Sequence, residues 1–251
     1  MTFHLQTSPA PARVVQWEFS FPRALASVSA AVSAFRGVQD FALSAAVIDR
    51  NSGLGVTIAD NAASFVVHGV YMGSIAAFRD TIAPALLARV PFAHDPKGSA
   101  VQELDWIASL TRMAGSAALA VPLAGYGARD NLFAKSVTTP RPFSEAALRR
   151  FFSFVLANGV GDAAPVGWFS IIDLYGGPDS AISTRDESFA AYSGYRDLWV
   201  VQNCELLWSR FHLGFIGSSN PVSNGRYAWI NRFQTALWGS SAPSRRRAYA
   251  S

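Results

Sequence analysis

One carboxylate stands inside the apolar run Gly167-Trp168-Phe169-Ser170-Ile171-Ile172-Asp173-Leu174-Tyr175, which is closed by Gly176-Gly177-Pro178. Asp173 in such company must find a partner or shift its pKa, because an isolated buried charge costs several kcal/mol or more. A carboxyl held in that state is suited to moving a proton. The plainer alternative is an aspartate that caps the Gly-Gly turn or pairs with an arginine. Other reactive side chains have less around them. Cys204 is the one cysteine, which excludes an internal disulfide and a zinc site built from cysteines. His4, His68, His94 and His212 each lack a motif context, and no metal site is expected. Gly125-Tyr126-Gly127 has neither the preceding strand, the following helix nor the third glycine of a dinucleotide fingerprint.

The run that carries Asp173 has the length and the aromatic and β-branched content of a central strand, and Gly-Gly-Pro ends it. Side chains alternate across a sheet, so Phe169, Ile171, Asp173 and Tyr175 share one face, and Trp168, Ser170, Ile172 and Leu174 the other. Around it, Val14 to Phe21 alternates as a half-buried strand, with a helix after Pro22 (Leu25, Val28, Val32, Phe35) that Gly37 can stop. Strands are expected at Phe41–Asp49 and Ala62–Tyr71, with turn chemistry at Asn51-Ser52-Gly53. Ser74 offers the cap of a helix (Ile75, Phe78, Ile82, Leu86) that Pro84 can kink. A polar loop at 94–98 then leads to a short helix over Val101–Met113, and 114–131 is a long Gly/Ala/Pro loop. Leu132–Thr139 is a strand, Ser144 caps a helix with the stripe Leu148, Phe151, Phe152, Val155 and Leu156, and Leu198–Leu207 is the last clear strand. On it Gln202 and Cys204 point one way, Asn203 and Glu205 the other. Residues 180–195 read as polar, aromatic and partly helical. With Phe3 and Leu5 as an edge strand, the pattern is an α+β fold: an antiparallel sheet of about seven strands with amphipathic helices on one face. The opposite face must be covered by another domain, a partner or a ligand.

Half the 251 residues are apolar, enough for a sizeable core. No run approaches the length of a membrane-spanning helix, and no targeting segment is legible. The formal charge of +4 owes three of its cations to Arg245, Arg246 and Arg247. Without a basic stripe interleaved with aromatics, nucleic acid is not an expected partner.

Three stretches together resemble the substrate domain of berberine-bridge-type FAD-linked oxidases, and within that family the oligosaccharide oxidases: Arg129-Asp130-Asn131-Leu132-Phe133-Ala134-Lys135-Ser136, the strand ending Asp173-Leu174-Tyr175-Gly176-Gly177, and Tyr195-Arg196-Asp197-Leu198-Trp199-Val200-Val201-Gln202. The resemblance implies a seven-stranded sheet whose open face roofs a flavin, and oxidation of a carbohydrate alcohol to a lactone with FAD as cofactor. It implies that Asp173 hydrogen-bonds and tunes a tyrosine base, for which Tyr227 in Tyr227-Ala228-Trp229-Ile230-Asn231 is the candidate. It also implies that Gln202 lies near flavin and sugar, and that Phe169, Ile171 and Tyr175 belong to the substrate surface. Ile171 is a departure, since a polar sugar-binding residue is expected there. The histidine and cysteine that tether FAD in the family have no counterpart here. The expected division is a remnant of the flavin domain over 1–11, a substrate domain over 12–215 and a truncated C-terminal segment over 216–251, with a missing flavin domain as partner. Secretion is expected if a full-length parent carries an upstream signal peptide. A non-catalytic carbohydrate- or partner-binding module on the same face is the alternative.

Overall fold

The computed structural model describes residues 7, 9–59, 65–115, 119, 132–158, 167–184 and 197–206. Seven strands form one antiparallel sheet: β1 (Val14–Ser20), β2 (Ser52–Ala59), β3 (Phe65–Tyr71), β4 (Asp95–Leu104), β5 (Leu132–Thr139), β6 (Gly167–Leu174) and β7 (Trp199–Leu206), in the order β4-β1-β3-β2-β6-β7-β5. The strand carrying Asp173 is internal, flanked by β2 and β7. Its alternation is realised in burial: Trp168, Ser170 and Ile172 are 0–2% exposed, whereas Phe169, Ile171 and Asp173 are half-buried.

The buried face packs on helices. Helix α1 (Val28–Ala42) starts at Ser27, whose hydroxyl accepts from Ala30 N, and buries Ala31, Val32, Phe35, Val38 and Phe41 at helical spacing. Helix α5 (Glu145–Asn158) crosses it with Leu148, Phe151, Phe152 and Val155. Phe35 is the hinge of this layer, with its ring 5.7–6.4 Å from those of Phe143, Phe152 and Trp199. The buried amide of Gln39 ties α1 to the segment just before α5, donating to Phe143 O and accepting from Phe143 N. At the other end α2 (Ile75–Ala77), capped by Ser74, runs through a π-helical turn (Phe78–Ile82) into α3 (Ala83–Leu87). Pro84 has no N–H to give the preceding turn, which suits it to a site just after a widened one. No described helix is long and apolar enough to cross a membrane.

Four sequence expectations need correction. Gly37 does not stop α1 but lies inside it, because a side chain there would meet the backbone of Arg89 and Val90 at the end of α3. Phe41–Asp49 is no strand: Phe41 and Ala42 complete α1, and 43–51 is a chain of turns in which Asp49 accepts from Asn51 N and from Ser52 Oγ just beyond it. The strand follows that turn, as Ser52–Ala59, disguised by Gly53 and Gly55. Residues 95–98 of the expected polar loop and Val101–Leu104 belong to strand β4, which among the described residues pairs only with β1, so its Pro96 and its polar side chains sit on an edge, where both are tolerated. Asp105 then caps α4 (Trp106–Met113) by accepting from Ala108 N, so this helix begins five residues later than its periodicity suggested. Helix α4 lies at the β1–β4 edge on the side away from α1, where Gln16 donates to Ser109 O, and Arg112 bonds Gln102 and Glu18. Residues 1–6 and 216–251, and with them the Phe3–Leu5 edge strand, most of the expected 1–11 remnant and the C-terminal segment, lie outside the described residues, as do 120–131 and 185–196.

Candidate active-site face of the sheet

The sheet face turned away from α1 and α5 is organised in cross-strand rows. One row reads Glu18 (β1), His68 (β3), Gly55 (β2), Asp173 (β6), Val200 (β7) and Thr138 (β5). The neighbouring row reads Val66, Thr57, Ile171, Gln202 and Ser136. Phe169 begins the next, between Ala59 and Cys204. Asp173, Phe169, Ile171 and Gln202 are thus brought together, each half-buried. Tyr175 lies past the end of β6, 39% exposed, where it lines an open depression of about 250 Å³ with Ile48, Arg50, Leu174, Asp179 and Ile182. Tyr227 lies outside the described residues.

Both ordinary explanations of Asp173 fail among the described residues. The turn amides of Tyr175 and Gly176 bond to the carbonyls of Asp197 and Leu198, so Asp173 does not cap them. Arg50, the arginine beside this turn, gives its guanidinium to Asp179 at 3.0–3.3 Å. Burial pushes the Asp173 carboxyl up to about 6. A half-buried acid that changes charge near neutral pH, on a sheet face not covered by α1 or α5, is a functional-site candidate with a physical cause.

What lets the carboxylate lie there is Gly55. A Cβ on that residue would overlap Asp173 Oδ1 and come within 2.9 Å of His68 Cε1, so the two side chains occupy the space above the glycine. His68 is anchored diagonally, with Nε2 2.8 Å from Thr57 Oγ1. Burial holds its imidazole below the ordinary histidine value, with Glu18 pulling the other way. Thr57 and Gly55 carry no strand signal in the sequence, because Gly53 and Gly55 interrupt the apolar alternation of Ser52–Ala59. His68 was visible in principle, since alternation in Phe65–Tyr71 sets it opposite Phe65 and Val67. Ile171 is indeed apolar, but its register partners are the polar Thr57 and Gln202. On the buried face, Ser170 Oγ donates to Asn203 Oδ1 at 2.8 Å, a structural pair.

Several half-buried apolar groups beside Gln202 and Asp173 make a surface able to lie against one side of a planar ring.

No family model matches the chain. It is 27% identical over 198 residues to a xylooligosaccharide oxidase of Thermothelomyces thermophilus, covering 78% of this chain and 37% of that protein. It is 27% identical over 190 residues to a chitooligosaccharide oxidase of Gibberella zeae, covering 71% of this chain and 35% of that protein. The chain thus spans little more than a third of these relatives' length. Its fold is similar to that of a glucooligosaccharide oxidase of Acremonium strictum that carries 6-S-cysteinyl, 8α-N1-histidyl FAD: the TM-score is 0.75 at 18% identity, covering 94% of this chain and 46% of that one. The relatives and structural neighbours are oligosaccharide oxidases of the berberine-bridge, FAD-linked family, and the shared part has the size of their substrate domain.

Proposed function

We propose that this chain is the substrate-binding part of an FAD-dependent oxidase acting on the alcohol group of an oligosaccharide. The observation that carries the proposal is Asp173: a half-buried carboxyl without a hydrogen-bond or ion-pair partner among the described residues, on the sheet face turned away from α1 and α5, in a chain whose relatives are carbohydrate oxidases. In this reading FAD, held by a flavin domain outside this chain, supplies the hydride acceptor. The chain's own residues do the rest. Phe169 offers the sugar a flat apolar surface and Gln202 an amide that can both donate and accept, while Thr57 replaces some of the polarity missing at Ile171. Tyr175 extends this surface at the rim. Asp173 holds its proton or its charge close to where Tyr227 is proposed to take the proton of the sugar hydroxyl, and so helps set the working pKa of that base.

The test is reconstitution with a flavin domain from a related oxidase, followed by anaerobic flavin reduction with xylo- and chito-oligosaccharides. General-base catalysis is typically worth about 10²–10⁴-fold, so Tyr227→Phe is expected to slow reduction by that order and Asp173→Asn by less. The double variant should lose less than the product of the two, because both act on one proton transfer. Flavin bound and oligosaccharide bound, with no reduction in the unmutated protein, would instead mark a non-catalytic binding module.

A further inference from the structure

Resting on that reading of Asp173, we propose that His68 is its positioning residue: held by Thr57 and crowding with Asp173 the space above the side-chain-free Gly55, the imidazole stands beside the carboxyl as a charge-coupled neighbour, so that the protonation of one shifts the titration of the other. Geometry carries the argument. His68 and Asp173 come from strands on either side of β2 and would both crowd a Cβ on the one residue between them. The bond to Thr57 fixes the ring at 2.8 Å instead of leaving it to rotate away. Burial drives the two groups towards one titration range from opposite sides, raising the acid and lowering the base.

Few other charges face the couple among the described residues. Strand β1 presents Glu18 opposite His68, and Arg112 of α4 bonds that carboxylate at 3.3 Å. Strand β4 adds Ala100 and Gln102, β2 adds Gly55 and Thr57, and β7 adds Val200, Gln202 and the Cys204 thiol, which burial keeps protonated well above neutral pH. Helices α1 and α5 pack on the other face.

The experiment is an NMR titration of the full 251-residue chain without flavin, following the carboxyl carbon of labelled Asp173 and the ring protons of His68, with folding checked by circular dichroism. His68→Gln keeps a partner for Thr57 but cannot take a proton, and should raise the Asp173 midpoint by about 0.5–1 pH unit, the size expected for loss of a neighbouring cation. Asp173→Asn should lower the His68 midpoint by a similar amount. Thr57→Val, which frees the ring, should move Asp173 in the same direction by less. An Asp173 midpoint unmoved in folded His68→Gln overturns the couple. If that variant does not fold, an unmoved His68 midpoint in Asp173→Asn does so. Because no flavin or substrate takes part, this result can fail while the oxidase reading stands, and it can hold if reconstitution shows no oxidation.

Discussion

Gly55 and Asp173 are register partners on adjacent strands, and the Asp173 carboxylate occupies the space that a side chain on Gly55 would need. The glycine therefore permits an acid to lie down on the sheet instead of standing up into solvent. It also admits the His68 ring from the other side.

Gly55→Ala should push the carboxyl aside, since the contact is with the movable end of a side chain and the backbone has no reason to give. A loss of about 1 kcal/mol is expected, at the mild end of overpacking effects. The sharper signature is the Asp173 titration, which should fall towards the ordinary aspartate range as the group regains water. Retention of the raised value, about 6 in the parent, would mean that Gly55 does not hold it there.

Asp173→Asn should stabilise the isolated chain. The folded carboxyl, at about 6, binds its proton more tightly than the unfolded one, at about 4. The unfolded state thus carries fewer protons between these values, and stability falls as pH rises through that window, then levels off above it. Removing the acid should yield about 1–2 kcal/mol at pH 8 after allowing for solvent screening, and almost nothing at about pH 4. Urea denaturation at the two pH values checks this, and equal effects at both would show that the carboxyl is not responsible.

Gly37→Ala should be far more damaging than Gly55→Ala, although alanine favours helix. Its Cβ would fall 2.8 Å from the Arg89 carbonyl carbon and 3.1 Å from Val90 Cα, and would overlap the carbonyl oxygen. Two backbones would have to separate, so a loss of about 3 kcal/mol or more is expected in urea denaturation. A gain in stability would show that α1 and the end of α3 are not in contact.

The central strand was legible from its length, its aromatic and β-branched content and the Gly-Gly-Pro that ends it, and the alternation of an extended chain then set Trp168 and Ile172 against Phe169 and Ile171, as their burial shows. The helices α1 and α5 were legible from apolar residues at a period near four, α5 also from its cap at Ser144, whereas the cap of α1 at Ser27 emerged only in the structure. Strand β2 was not, because Gly53 and Gly55 are the residues that normally mark turns, and their role as clearance for neighbouring strands exists only once the strands are paired. Nor was β4, a polar edge strand with a proline, since half of its face looks to solvent and leaves no apolar alternation to read.

By itself the sequence determined that Asp173 lies inside an apolar strand and shares a face with Phe169 and Ile171, because alternation is a local property of an extended chain. Which groups stand beside that carboxylate was decided by register. Residues about a hundred apart in the chain, Asp173 with Gly55 and His68, become neighbours only through the order β3-β2-β6, and the cost of burying the acid, hence its charge at neutral pH, follows from that packing.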